Sequence, residues 1–307
     1  MNPFSFLGKR ARASRANERG RELARAGRAP EAILEYERAC RLDPSWSMPV
    51  YNLGLHYKYS GDWERSLLYN QRAAELNPDD QAGWWNLGIA ATALGRWDVA
   101  RSAWRGAGLQ IPDGSGPLDF PCGRTPIRLN PDTDGEVVWS RRLDPARAEI
   151  YSIPLAASGF RFADIVLHDG AANGYRRLGD NDVPVFDCLQ LLEPSSFATW
   201  VAEVELGAKD QATVAAIDLL SDLALERGLA AEDWSTSIAP ICRECSEGRP
   251  HDKHEHPTPD VIGQHRVAIA AHDPAQVEQL LEDWRPRSGT ARVVSIEVVL
   301  EAGKART

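Results

Sequence analysis

Three prolines, Pro44, Pro78 and Pro112, stand 34 residues apart, and this spacing constrains the fold more tightly than anything else in the chain. The period extends to their neighbours. Twenty-four places before each proline stands a glycine (Gly20, Gly54, Gly88), and seventeen places before it another (Gly27, Gly61, Gly95). Twelve places before are Ala32, Ser66 and Ala100; five places before are Ala39, Ala73 and Ala107. Such a unit reads as two amphipathic helices. The small residues let them approach closely, the second glycine turns the chain between them, and the proline ends the second helix. One unit cannot bury its own apolar face, so the units must stack.

The large residues complete the pattern: Tyr51, Asn52, Leu53 and Gly54; Trp84, Asn86, Leu87 and Gly88; and Tyr57, Trp63 and Trp97. Over about residues 13–112 the chain resembles the tetratricopeptide repeat (TPR) family. The resemblance implies an α-helical solenoid of three repeats whose concave face, lined by the first helix of each repeat, holds an extended peptide or a partner protein. It implies binding and no catalysis. Asn52 and Asn86 occupy one repeat position on that face, where some members use asparagine to grip a ligand backbone, since one amide both donates and accepts. The first repeat has Glu18 there, leaving two rungs. Some members also clamp the acidic tails of heat-shock chaperones with Lys and Arg at set positions. Here Asn17, Ala82 and Asn86 replace those basic residues and only Asn52 agrees, which speaks against that ligand.

Charge is uneven. Residues 1–28 hold eight basic residues (Lys9, Arg10, Arg12, Arg15, Arg19, Arg21, Arg25, Arg28) against Glu18 and Glu22, a local +6 in a chain of net −9. A charge run of this kind reads first as a solvated helix face, with contact to RNA or an acidic lipid head group as the alternative, and the acidic remainder of the chain speaks against a generally basic nucleic-acid binder. No signal-peptide core is present, and no stretch approaches the ~18 apolar residues of a membrane span, so a cytoplasmic location is expected. Five cysteines, odd in number and scattered, do not make the disulfide framework of a secreted domain.

The 307 residues allow two or three domains at ~100–200 residues each. The expected division is residues 1–112 for the repeats with their basic arm, a linker at 113–134 dense in Pro, Gly, Asp and Asn, a small β-barrel-like module at 135–197, and a last domain at 198–303. The module's strands read as 136–142, 149–153, 163–168, 175–178 and 183–192, with Asn173 and Gly174 as a tight turn. His168 and Asp169 close one strand without a nucleophile nearby, which favours turn chemistry over catalysis. Beyond Trp200 the order is strand, helix, strand (234–241), strand, helix, strand, the split unit of a ferredoxin-like sandwich whose open face could serve a homodimer. The fold class expected is therefore α+β and multidomain: a TPR solenoid, a small β module and a ferredoxin-like α/β sandwich.

The last domain also carries a Cys/His loop over 242–256. Cys242 and Cys245 form a Cys-x-x-Cys, and His251, His254 and His256 follow within eleven residues of Cys245. Two thiolates and two imidazoles suit a closed tetrahedral zinc, so the loop is expected to hold a structural Zn2+ through Cys242, Cys245, His251 and one of His254 or His256. The competing readings are a polar excursion whose histidines are incidental, a redox dithiol, and a catalytic zinc whose water is activated by Glu244 or Glu255. There is no phosphate loop, Gly-x-Ser-x-Gly, His-Glu-x-x-His or dinucleotide fingerprint. The leading expectation is a non-enzymatic adaptor that binds a peptide or protein through the repeats, and the alternative is a metal-dependent enzyme to which the repeats recruit substrate.

Overall fold

The computed structural model describes residues 3–178, 180–206, 211–238, 243–247, 263–289 and 291–303. The chain divides into two compact units, Met1–Pro121 with Leu143–Ala146, and Cys122–Arg142 with Arg147–Thr307.

Six helices build the first unit: α1 (Pro3–Arg25), α2 (Ala29–Leu42), α3 (Ser47–Tyr59), α4 (Trp63–Leu76), α5 (Gln81–Ala93) and α6 (Trp97–Gly106). They form three hairpins that end alike. Gly27, Gly61 and Gly95 take φ of 72°, 72° and 65°, a left-handed conformation that side chains resist. That turn lets Arg28, Asp62 and Arg96 donate their N–H groups to Leu23, Tyr57 and Ala91 at 2.9, 3.0 and 2.8 Å, closing the orphan carbonyls of each first helix.

Inside each hairpin a second glycine lies against a large residue of the partner helix. A Cβ added at Gly20 would come within 2.6 Å of Tyr36, one at Gly54 within 2.5 Å of Asn70, and one at Gly88 within 2.6 Å of Trp104. Tyr36, Asn70 and Trp104 are themselves 34 apart. The remaining small repeat residues, Ala32, Ser66, Ala100, Ala39, Ala73 and Ala107, are all buried.

The second unit begins with strands β1 (Arg124–Leu129), β2 (Glu136–Arg142), β3 (Arg147–Ile150), β4 (Ile165–Leu178) and β5 (Asn181–Glu193), which close into a barrel. Neighbours are antiparallel except β1 and β5, which meet in parallel at Ile127 opposite Phe186 and Arg128 opposite Asp187. Ile127, Leu129, Val138, Ile150, Val166 and Phe186 fill the barrel.

Two expectations fail in this region. Residues 124–129, assigned to the linker, are a barrel strand; the turn residues Pro121 and Gly123 and the polar Arg124, Thr125 and Arg128 disguised a strand that is buried from Thr125 on. Asn173 and Gly174 make no hairpin turn and lie inside the continuous β4, where the register shifts between Ala172 and Tyr175. Gly174 is needed there for another reason. Its φ is 103°, and a side chain would collide with the carbonyl of Ser246.

The rest of the unit is a four-stranded antiparallel sheet of β6 (Ala198–Glu205), β7 (Ala230–Asp233), β8 (Gln264–Ala271) and β9 (Arg292–Leu300), in the order β7-β8-β6-β9. Helices α7 (Gln211–Glu226) and α10 (Pro274–Trp284) cover one face, packing Leu220, Leu223, Leu280 and Trp284 on Ala202, Val204, Val267 and Ile269. Asp273 caps α10 by accepting from the Gln276 N–H at 3.0 Å.

The other face is closed as well. Val201, Ala268 and Ala270 lie beneath Ile153, Trp234, Leu155 and Phe162, and the Trp234 indole donates to the Ile153 carbonyl at 3.0 Å. Among the described residues the face expected to serve a homodimer is therefore covered, while Val294, Ile296 and Val298 on edge strand β9 are exposed, as are Val214 and Leu225 on α7. Residues 234–237, expected in a strand, form the short helix α8 (Trp234–Ser237) because Asp233 ends β7 and caps the turn through the Ser235 N–H at 3.0 Å.

Candidate peptide-binding face and Cys/His loop

Helices α1, α3 and α5, the first of each pair, present the residues expected to meet a peptide. Asn52, half-buried, donates its amide to the Asn17 side chain on α1 at 2.9 Å. Asn86, buried on α5, accepts from the Lys58 ammonium on α3 at 3.1 Å. The two amides thus bridge successive first helices, Asn52 toward the first repeat and Asn86 toward the second. Lys58 is only 3% exposed, and its ammonium also lies 4.4 Å from the Tyr59 ring.

Nothing in the sequence marks Asn17, noted only where a clamp member has a basic residue, or Lys58 as a bridging partner, because neither stands at the asparagine position of its repeat. Asn17 precedes that position by one residue, and Lys58 follows Asn52 by six, about 1.7 helical turns further along α3. On the same first helices, Met48 is about half exposed and Tyr51 is half-buried, while the half-buried Trp85 packs edge-on against Trp104 of α6, ring centroids 5.2 Å apart.

Of the proposed metal ligands, Cys242, His251, His254 and His256 lie outside the described residues. Cys245 stands in a five-residue helix, α9 (Arg243–Glu247), where a hairpin loop was expected. The next residue fastens that helix to the barrel. Arg128, 3% exposed, donates to the Ser246 carbonyl at 2.8 Å and to its hydroxyl at 3.1 Å. Asp187 holds the same guanidinium at 2.7 Å while accepting from the Asn173 amide at 2.8 Å. Near the other end of the loop, His265 and Asp233 form a buried pair at 2.8 Å between β8 and β7. Among the described residues no group of three or more His, Cys, Asp or Glu is placed to hold a metal ion.

Other titratable groups settle smaller questions. Burial pushes His168 down to about 3, so the ring is neutral inside the barrel, its Nδ1 bonded to the Asp169 carbonyl at 2.8 Å. Burial also pushes the Cys188 thiol up to about 12, which fits an inert packing residue. No described helix is long and apolar enough to cross a membrane.

No family model matches the chain, and no curated protein matches it. Among solved structures, the second TPR of Spaghetti (RPAP3) bound to HSP90 peptide SRMEEVD is similar, at 20% identity and a TM-score of 0.32, over 33% of this chain and 94% of that one. The first TPR of the same protein with the same peptide is similar at 20% identity and a TM-score of 0.31, over 32% of this chain and 78% of that one. What classes the helices of this chain is the 34-residue period together with the turn and glycine contact that repeat in every hairpin. The first unit is a segment of the tetratricopeptide-repeat type.

Proposed function

We propose that the chain is a non-enzymatic adaptor that grips a peptide or partner protein on the face of α1, α3 and α5. The observation that carries this reading is the pair of amide bridges, Asn52 to Asn17 and Asn86 to Lys58, on helices that also expose part of Met48 and Tyr51. Polar groups already fixed at set positions orient a ligand at little entropic cost, and the apolar surface on the same helices supplies binding energy. The test compares partners captured by the full chain with those captured by an Asn52→Ala/Asn86→Ala variant and a Met48→Asp variant of unchanged circular dichroism. Loss of a partner in both variants is expected. Retention of every wild-type partner by both overturns the assignment.

In the same reading the last domain is a ferredoxin-like sandwich that docks a second partner or pairs with a second copy. The β-α-β-β-α-β order and the antiparallel arrangement β7-β8-β6-β9 support the fold, and the exposed Val294, Ile296 and Val298 on β9 support a homodimer. Sedimentation of wild type against Ile296→Lys tests the pairing. A monomer at every concentration, or a dimer unaffected by the substitution, refutes it.

A structural zinc belongs to the proposal too. The donor set of two thiolates and imidazoles is zinc's, and the Arg128 clamp holds the backbone of the turn that carries Cys245. When bound, the ion would supply cross-linking and no chemistry. About one zinc per chain is expected, with lower melting temperatures in Cys242→Ser and His251→Ala. Protein purified without chelators that contains no metal refutes the site.

A further inference from the structure

The geometry points to a second binding site in the first unit, an anion pocket on the flank of the first hairpin that takes a multiply charged phosphate. This site is separate from the peptide face. It is a hollow of about 340 Å³ lined by Arg12, Arg15, Ala16 and Arg19 of α1 and by Glu35 and Arg38 of α2. Four guanidiniums against one carboxylate leave a local charge of +3 in a chain of net −9.

The repeat shows what this flank does elsewhere. One period after Arg15 and Arg19 stand Pro49 and Leu53, and two periods after stand Gly83 and Leu87; all four are buried, Leu53 and Leu87 at 1% and 3% exposure. Leu53 packs on Leu23, Ala32 and Tyr36 of the preceding hairpin. At the first hairpin the same positions are exposed arginines. A polar end face is what a solenoid needs for solubility, and mixed charge would meet that need. Glu22, paired with Arg19, lowers the excess around the hollow to two positive charges, whose mutual repulsion a bound anion offsets.

The guanidiniums are also available. Arg12 and Arg15 make no ion pair with a described carboxylate; their Nε groups bond to the Gly8 and Ala11 carbonyls of their own helix at 3.2 and 3.4 Å. The terminal nitrogens are left for a ligand, in the fork that suits a phosphate oxygen pair. Arg19 and Arg38 hold Glu22 and Glu35 at 3.3 and 3.5 Å in exposed pairs of little strength, which an incoming dianion can outcompete. The volume exceeds one phosphate group and falls within the range of small-ligand sites, so a diphosphate or a phosphorylated side chain with its neighbours fits.

The test titrates the full chain with inorganic pyrophosphate by calorimetry at about 50 mM salt, where screening is modest. One saturable site is expected, weakened about tenfold or more in Arg15→Gln/Arg19→Gln. Arg72→Gln, the same repeat position as Arg38 one period on, should bind as wild type does. All these side chains are exposed, and unchanged melting temperatures confirm that the variants fold. Tighter binding of a phosphoserine peptide than of pyrophosphate assigns the phosphate to a partner chain, and the reverse assigns it to a free phosphate compound. Absence of saturable binding, equal loss in Arg72→Gln, or binding of long polyanions alone overturns the proposal.

Discussion

Glu136 opens β2 with its carboxylate turned toward the strap between β3 and β4, accepting from the Leu155 N–H at 3.0 and 3.1 Å. Glu232 grips the same strap from β7, accepting from the Ile153 N–H at 3.0 Å. Burial first, and the charge of Glu232 second, push Glu136 from an ordinary value of 4.5 to about 7, against the pull of the Leu155 bond. The folded protein therefore keeps a proton that the unfolded chain releases above about pH 4.5. The contribution of Glu136 to stability is fully present below that pH and is lost as pH rises through about 7. At about 1.4 kcal/mol per pH unit the ceiling is about 3 kcal/mol, and partial solvent exposure reduces it to about 1–2 kcal/mol.

Glutamine copies the protonated carboxyl, with one acceptor for Leu155 and no charge to bury. Glu136→Gln should match the wild type near pH 5 and exceed it by about 1–2 kcal/mol at pH 8, a gap of about 2–8 °C in melting temperature. Scanning calorimetry of both proteins across pH 5–8 isolates this group, because every other titration is shared. A wild-type-minus-variant difference that stays flat across that range refutes the reasoning. Glu232→Gln in the wild-type background should shrink the same pH dependence, since it removes one of the charges that raise Glu136.

Three further outcomes follow from the contacts. Gly88→Ala drives a Cβ to 2.6 Å from the fully buried Trp104 ring and should cost about 1–3 kcal/mol in urea unfolding, while Trp104→Ala costs about 3–5 kcal/mol. The double variant should cost less than the two together, because the collision is gone, so strict additivity contradicts the contact. Arg128→Ala leaves Asp187 without its guanidinium and should cost about 3–5 kcal/mol, with faster hydrogen exchange over residues 243–247; unchanged exchange there denies the clamp. Cys188 should resist iodoacetamide at pH 8 in the folded protein and react once denatured, as mass mapping reports, and modification of the native thiol contradicts its burial.

What was legible in the sequence was whatever it states more than once. The turn glycines, the contact glycines and the buried alanines of the repeats could be read because three copies carry them, and the six helices follow. The capped helix α10 and the alternation in β6 were legible for a local reason, since cap and period act within a few residues. Barrel closure was not, because β1 meets β5 across 59 residues, as in the bond from Arg128 to Asp187, and nothing near Arg128 announces it. Gly174 misled for the same reason: its conformation serves a carbonyl 72 positions away in α9 and no turn of its own.

The candidate sites lie where the period lapses. Positions that build a solenoid must repeat, since each hairpin makes the same contacts with the next, whereas positions that meet a ligand answer to the ligand and vary. Asn52 and Asn86 do repeat, yet their partners Asn17 and Lys58 come from different repeat positions, so the pattern that reveals the asparagines conceals what they bond to. Arg15 and Arg19 carry the point further. As part of a basic run they read as a solvated helix face; aligned with Pro49 and Leu53 they are exceptions at packing positions, and the positively charged hollow is the physical consequence. In a repeat protein, conformity to the period identifies the scaffold and departure from it locates the residues to test for binding.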